Sequence, residues 1–435
     1  MATELGTDEP REAQRAGGGG MFRALSHRNF RLFWTGAFLS NTGTWMQAVA
    51  QGLLVYHLTS SPFWLGADGF MATAPGLVLT LLAGVFADLV DRRRLLIYTQ
   101  VVAGFSALML AVLIATGVVH VWMILLLSFV TGCCFAIAGP SYQAITIDLV
   151  EREDIANAIA LNSTQFQFSR VIGPVLAGVA LKFFGLAGCF FANALSFVAV
   201  IVALRMVRFD ERKTSAPAHS VKDRKAVWQD LVEGLRYVRQ RRRVFMLLMI
   251  SGMTSLFGAP YLSMIPVYAR DIFHMGEDGN ALLMGVSGAG AFVGALVLAY
   301  LGNFKYKGWS VLSGAFGFAL CLIGFALSSQ LLSRFSLSIQ IAVALAFIFG
   351  MGFAIVCCVA VINTLLQQLV TDEMRGRVMS MFILSFIGTM PIGNLIAGAA
   401  AERFGAPRTL ATGGLIIAVF TAIVALRDKR LRELN

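Results

Sequence analysis

The chain has 435 residues, 57% of them hydrophobic and 14% charged, and a mean hydropathy of +0.74, a balance that excludes an ordinary soluble domain. Its net charge of +11 would suggest nucleic-acid binding in a soluble protein, so the placement of the basic residues decides what that charge means.

Residues 1–20 mix acids, arginines and a run from Gly17 to Gly20, with no apolar core of the kind a secretory signal needs, so residues 1–22 are expected to form a disordered cytoplasmic tail. Charge-poor stretches close to the roughly 20 residues of one membrane crossing follow. They fall at 32–56, 63–86, 95–119, 121–144, 155–184, 186–204, 244–268, 281–301, 309–328, 339–366, 378–401 and 410–426. These twelve runs are too long for strands and lack period-2 alternation, and helices satisfy their own backbone in lipid, so the expected fold is all-α integral membrane. With the N-terminus inside, only Lys182, Arg270, Arg334, Arg403 and Arg408 fall outside, and Arg170 lies within a span. The positive-inside rule therefore places both termini in the cytoplasm and assigns the basic excess to topology, with no nucleic-acid partner. All six cysteines lie in predicted spans without metal-ligand spacing, so no disulfide, metal or cofactor is expected.

In the second span Asp68 stands near the outer end, between Gly66 and Gly69. It is the carboxylate between helix ends best placed to carry a proton, against the plainer reading that it reaches outer water or caps a frayed end and that the coupling carboxylate is Asp88 or one on the substrate. The loop after that span carries Gly84, Asp88, Asp91, Arg92, Arg93 and Arg94. A carboxylate at one helix end can accept from free N–H groups at the start of another, while arginines bind C-terminal carbonyls or acids, and such contacts can latch a gate. In the fifth span Asn162, Gln165 and Arg170 precede Gly173, Pro174 and Gly178. Arg170 is about fifteen residues, or roughly 22 Å, from its helix start, too deep to snorkel easily, and should face a polar cavity or an acid. It is either an anchor at a seam or a site for an anionic substrate group. Small residues let helices approach and proline frees a carbonyl, so this face suits a deformable seam, with Gly288, Gly290 and Gly294 of the eighth span as its match.

Residues 208–243 form a polar linker in which Val227, Leu231, Leu235 and Val238 share a helical face, expected to lie along the inner membrane surface. Beyond it, Leu149 to Gly185 overlays Leu369 to Gly405 at an offset of 220, with eleven identities in thirty-seven positions that include loop residues. Both copies enter from the same side, which predicts parallel repeats of six helices: bundles at 23–207 and 244–427, joined by the linker and followed by a tail at 428–435. No phosphate loop, zinc-protease helix or nucleophile elbow occurs, so no catalytic residue is assigned and the chain is not read as an enzyme.

The loop from Gly84 to Arg94 resembles the signature loop of the major facilitator superfamily, with Leu89 where a basic residue is usual and no acid in the second-half loop from Gly302 to Lys307. Ala160 to Gly178 resembles the antiporter signature of the same superfamily, with alanine or serine at three of its glycines, and Arg28 to Trp34 adds similarity to its enterobactin and macrolide exporters over residues 23–430. The resemblance implies that Asp88, with Gly84, Arg92 and Arg93, gates the cytoplasmic side against the eleventh helix near Arg375 and Gly376. It also implies cavity-lining residues on spans one, four, seven and ten, here Gln47, Gln51, Gln143, Tyr261, Asn363 and Gln367, joined by Asn162, Gln165 and Arg170 of span five. The implied protein is a monomeric carrier in a bacterial cytoplasmic membrane, exporting a small amphipathic molecule such as a drug, macrolide-like compound or siderophore in exchange for protons. A lysophospholipid flippase of the same fold and a receptor or assembly subunit without flux remain the alternatives.

Overall fold

The protein's structure, a computed structural model, describes residues 22–89, 91–207, 224–302 and 304–434, with side chains described except at 80–89, 224–231 and 430. The predicted tail at 1–21 and the first part of the linker, 208–223, lie outside the described residues. Those described form helices and no strand. In chain order they are α1 (Arg28–Thr59), α2 (Pro62–Leu89), α3 (Arg92–Ala115), α4 (Val121–Asp148), α5 (Ile155–Met206), α6 (Arg224–Gln240), α7 (Arg242–Gly258) and α8 (Tyr261–Val267). Then come α9 (Gly276–Leu301), α10 (Lys307–Leu331), α11 (Leu337–Leu369), α12 (Asp372–Phe386), α13 (Thr389–Phe404), α14 (Ala406–Arg427) and a last turn, α15 (Lys429–Arg432). Nine helical stretches among the described residues are long and apolar enough to cross a membrane, which makes this a multi-pass membrane protein.

Local chemistry explains where the helices break. At 52 residues, α5 is more than twice one crossing, and it turns at Gly185, whose φ of +64° is one that side-chain-bearing residues rarely adopt. Open space surrounds that glycine, so its backbone and not its packing demands it. The predicted seventh span is interrupted at Ala259 and Pro260 and ends in a π turn, Tyr268–Ile272. The predicted eleventh is interrupted between Phe386 and Thr389. Asp91 starts α3 by accepting from the backbone N–H of Arg94 at 2.8 Å, an N-cap role that accounts for an acid at the end of the basic loop.

The buried core is continuous across the chain at one end of the bundle and divided at the other. Met46, Leu53, Tyr56, Leu65 and Phe190 pack in one cluster with Tyr261, Met264, Phe273, Leu283 and Phe318. At the opposite end Phe30, Phe33, Leu96, Ile145 and Leu204 form a cluster of their own, and Val244, Leu312, Leu365, Val378 and Leu431 form another. Among the described side chains, residues 22–207 and 224–434 therefore share one core at the end bearing Thr59 and Phe404 and have separate cores toward the end bearing Arg92, Asp148 and Asp372.

Candidate functional site

At the joined end the two parts meet backbone to backbone. A Cβ placed on Gly66 of α2 would stand 2.4 Å from the carbonyl oxygen of Asn394 and 2.8 Å from Cα of Gly398 on α13. A Cβ on Gly288 of α9 would stand 2.3 Å from the carbonyl oxygen of Arg170 on α5. Polar latches flank these crossings: Tyr56 donates to Asp271, with Arg270 over the Tyr56 ring, and Ser61 donates to Glu402 at 2.7 Å. Gly173 packs against Trp45 of α1, and Gly178 faces Ala281 of α9 with ordinary clearance, while Pro174 lies beside Gly285. The expected matching small face is corrected in one respect: Gly290 and Gly294 meet Phe349 and Phe353 of α11, and of the three glycines Gly288 faces α5.

Below this seam a cavity of about 290 Å³ lies between the two parts, and Asp68 opens onto it. Gln47 and Gln51 are one helical turn apart on α1 and face α2 and α4. Gln51 Nε2 donates to both carboxylate oxygens of Asp68, at 3.0 and 2.9 Å, and lies 2.9 Å from Ser128 Oγ. Ser128 Oγ donates to Asp68 Oδ1 at 2.6 Å. Behind Gln51, Gln47 Nε2 donates to its Oε1 at 3.2 Å, and Asn193 Nδ2 on the second arm of α5 donates to Gln47 Oε1 at 2.6 Å. Asn193, Gln47, Gln51 and Asp68 thus form one directed chain of donors ending on a carboxylate inside a membrane-spanning segment, where an ionised acid is costly and reads as functional. Across the cavity Asn280 of α9 is fully buried, donating to the Val49 carbonyl at 3.0 Å, and its Oδ1 has no partner.

Arg170 finds no acid among the described residues. Its guanidinium lies 5.4 Å from the centroid of the Trp45 ring, and Nη2 donates to Tyr261 Oη at 3.4 Å, which in turn is 2.7 Å from Ser287 Oγ. The cation of α5 is held by a ring face of α1 and a hydroxyl pair of α8 and α9.

A larger cavity, about 640 Å³, lies nearer the divided end. Asn41, Gln100, Gln143, Asn162, Gln165 and Gln167 provide its amides, Phe33 and Phe166 part of its aromatic wall, and no acidic, basic or histidine side chain lines it among the described residues. Tyr142 Oη donates to Asn162 Oδ1 at 2.9 Å, whereas Gln165, 1% exposed, has no partner for either amide atom and Gln100 none for Oε1. Phe135 of α4 borders both cavities.

Four expected cavity residues, Arg170, Tyr261, Asn363 and Gln367, are not among the residues lining these two cavities. Gln367 donates to Asn363 at 2.6 Å, and on α11 the residues that reach the larger chamber are Val356 and Ala360, with Asn363 a turn further on. Of the predicted gate, Gly84 and Asp88 are on α2 in the stretch whose side chains lie outside the described residues. Arg92 pairs with Asp148 at 3.3 Å and Arg93 donates to the Arg205 carbonyl at 2.9 Å, so both bind the ends of α4 and α5. Arg375 pairs with Asp372 on the first turn of α12, where a Cβ on Gly376 would meet no atom of the described residues.

Sequence reasoning missed Ser128, Asn193, Asn280 and the Tyr56–Asp271 latch. A buried amide in an apolar span would have flagged Asn193 and Asn280. Nothing local signals a contact between residues 215 positions apart.

Comparison with known proteins agrees with this architecture. A family model described as transmembrane secretion effector matches residues 19–435. The staphyloferrin A transporter of Staphylococcus aureus is 24% identical over 92% of this chain and 97% of its own. Macrolide efflux protein A of Streptococcus pyogenes is 23% identical over 93% and 97%. Among solved structures, the nucleoside transporter NupG superposes with a TM-score of 0.72 at 11% identity, covering 92% of this chain and 98% of that one.

Proposed function

The chain belongs to the transmembrane secretion effectors of the major facilitator superfamily, and on that footing we propose that it is a secondary active exporter of a small amphipathic molecule, working by alternating access in exchange for protons. The observation that carries the reading is Asp68, held by donors from α1 and α4 in a narrow cavity between the two parts of the chain and one aromatic ring away from the larger chamber.

In this reading α1, α2 and the two arms of α5 are each one crossing, which brings the total to twelve in two parallel bundles of six, at 23–207 and 244–427, with 208–243 as linker. Both termini lie in the cytoplasm of a bacterium, the chain sits in its inner membrane as a monomer, and the joined end faces outward. The larger chamber then opens toward the cytoplasm and is loaded from there. Its uncharged, amide-bearing and aromatic wall suits a bulky amphiphile of the macrolide, siderophore or secondary-metabolite kind, in line with the names of the relatives. Gln143, Asn162 and Gln165 would meet the substrate in the chamber, Gln47 and Gln51 at the smaller cavity beside Asp68, and Arg170 and Tyr261 would act when the bundles rearrange.

Exchange would work through one carboxylate. Entry of a proton from outside neutralises Asp68, so the donors of Gln51 and Ser128 lose a charged acceptor and the α1–α2–α4 packing relaxes; loss of the proton to the cytoplasm restores it. A membrane potential of 100 mV supplies about 2.3 kcal/mol per charge moved, enough for roughly fifty-fold accumulation.

The test is substrate flux in proteoliposomes with and without a pH gradient, screened over macrolides, siderophores, dyes and lysolipids. Gradient-driven flux that Asp68→Asn abolishes, with substrate binding retained, is the expected result. Normal coupling in that variant removes Asp68 from the mechanism, and movement of lysolipids alone, indifferent to the gradient, replaces the exporter by a flippase with Arg170 as phosphate partner.

A further inference from the structure

The helix α6 is amphipathic in an unusual sense: both of its faces carry apolar residues, but they do different things. Gly234 and Val238 turn inward, Gly234 against Arg377 and Met381 of α12 and Val238 into the cluster with Val244, Val378 and Phe382. Leu235, expected to share one face with Val238, is instead exposed: it and Val232 are 50% and 44% exposed, whereas Val238 is buried. Val232, Leu235, Arg236 and Arg239 follow the i, i+3, i+4, i+7 spacing of one helical face, and all four are exposed.

Two arginines, Arg236 and Arg239, make this face cationic. Between residues 224 and 243 the sequence has seven basic and two acidic residues. One of those acids, Glu233, is paired with Arg377 of α12 at 2.6 Å. At the C-terminal end of α6, Arg241 lies over the Tyr237 ring at 4.5 Å and donates to the Leu369 carbonyl at 3.4 Å, closing α6 against α11, and α7 starts at the next residue. The face therefore lies beside the root of a membrane-crossing helix, at the depth of lipid headgroups, with aliphatic side chains to enter the interface and guanidinium groups to meet phosphate.

We propose that this face of α6 is a docking site for anionic phospholipid headgroups, and that the lipid, through the Glu233–Arg377 pair, steadies α12 at the divided end of the bundle. Charge complementarity selects the occupant: a zwitterionic headgroup presents an ammonium beside its phosphate, whereas phosphatidylglycerol or cardiolipin presents net negative charge to Arg236 and Arg239. Anchoring α6 fixes Glu233, and Glu233 restrains Arg377 on the first turns of α12.

The experiment uses the full chain in nanodiscs of phosphatidylcholine alone or with phosphatidylglycerol, read by hydrogen exchange of residues 232–240 and of α12. Slower exchange of both segments with phosphatidylglycerol is expected, lost at high salt and in the Arg236→Gln/Arg239→Gln double variant. Each arginine removed should weaken lipid retention about five-fold. Arg236→Lys/Arg239→Lys keeps the charge and should keep most of the protection, while exchange of α1 stays constant in all variants and reports intact folding. Equal protection in the two bilayers overturns the proposal, as does protection reproduced by soluble glycerol phosphate. Protection of 232–240 without any change in α12 removes the coupling through Glu233. None of these outcomes depends on substrate flux, so they stand or fall apart from the exporter reading.

Discussion

Gly66→Ala should drive the joined end of the bundle apart. The added Cβ would stand 2.4 Å from the Asn394 carbonyl oxygen, where ordinary contact begins near 3.4 Å, so α2 and α13 must separate by about 1 Å. Both obstacles, the Asn394 oxygen and the Gly398 Cα, are backbone and cannot rotate away. Overpacking of this kind costs about 1–3 kcal/mol, and here it falls on one conformation only, since alanine stabilises an isolated helix relative to glycine. The ratio of closed to open states at this end should fall by roughly 5- to 150-fold. Gly178→Ala is the matched control: it adds the same methyl on α5, but 3.5 Å from Ala281 Cβ. Spin labels at Leu58 and Phe404, in a background without the native cysteines, report the distance across this end. A long-distance population that grows in Gly66→Ala and not in Gly178→Ala is expected. Unchanged distances, or equal shifts in both variants, would refute the account of the seam as a glycine-dependent closed state.

Tyr56→Phe removes the hydroxyl that donates to Asp271 and should shift the same distance distribution toward the open form by about ten-fold, the effect of losing roughly 1.5 kcal/mol from a hydrogen bond to a charged group. Gln165→Leu replaces a buried amide without partners by a side chain of similar size, so the thermal midpoint in detergent should rise; a fall means that the amide is satisfied by water or ligand. Arg170→Met takes the cation from the Trp45 ring, a contact of about 0.5–2 kcal/mol, and should lower the thermal midpoint, whereas Arg170→Lys should retain most of it.

Much of the fold was legible because lipid leaves the chain few options: apolar runs of spanning length become helices, and the residue left between the predicted fifth and sixth spans is Gly185, where α5 turns. Asp68 and Arg170 were legible as charges out of place. Their partners were not. Ser128 and Asn193 reach Gln51 and Gln47 from other helices, and which polar groups meet depends on how each helix is rotated about its axis. Rotation also explains the misjudged glycines, since positions 288 and 290 lie about 200° apart around a helix and cannot share a face. Asn363 shows the third limit: it keeps the rotational phase of Val356, but depth along α11 carries it past the chamber.

At the crossings of α2 with α13 and of α5 with α9, what touches is peptide backbone whose hydrogen bonds stay within each helix when the helices part. A leucine at such a contact would carry about 1.5–3 kcal/mol of burial, all of it to be surrendered to water on separation. A glycine carries almost none. These crossings can therefore be tight without adding adhesion of their own, which leaves the cost of opening to the apolar cluster around them and to polar contacts at the rim, Tyr56 with Asp271 and Ser61 with Glu402, which water can replace one at a time.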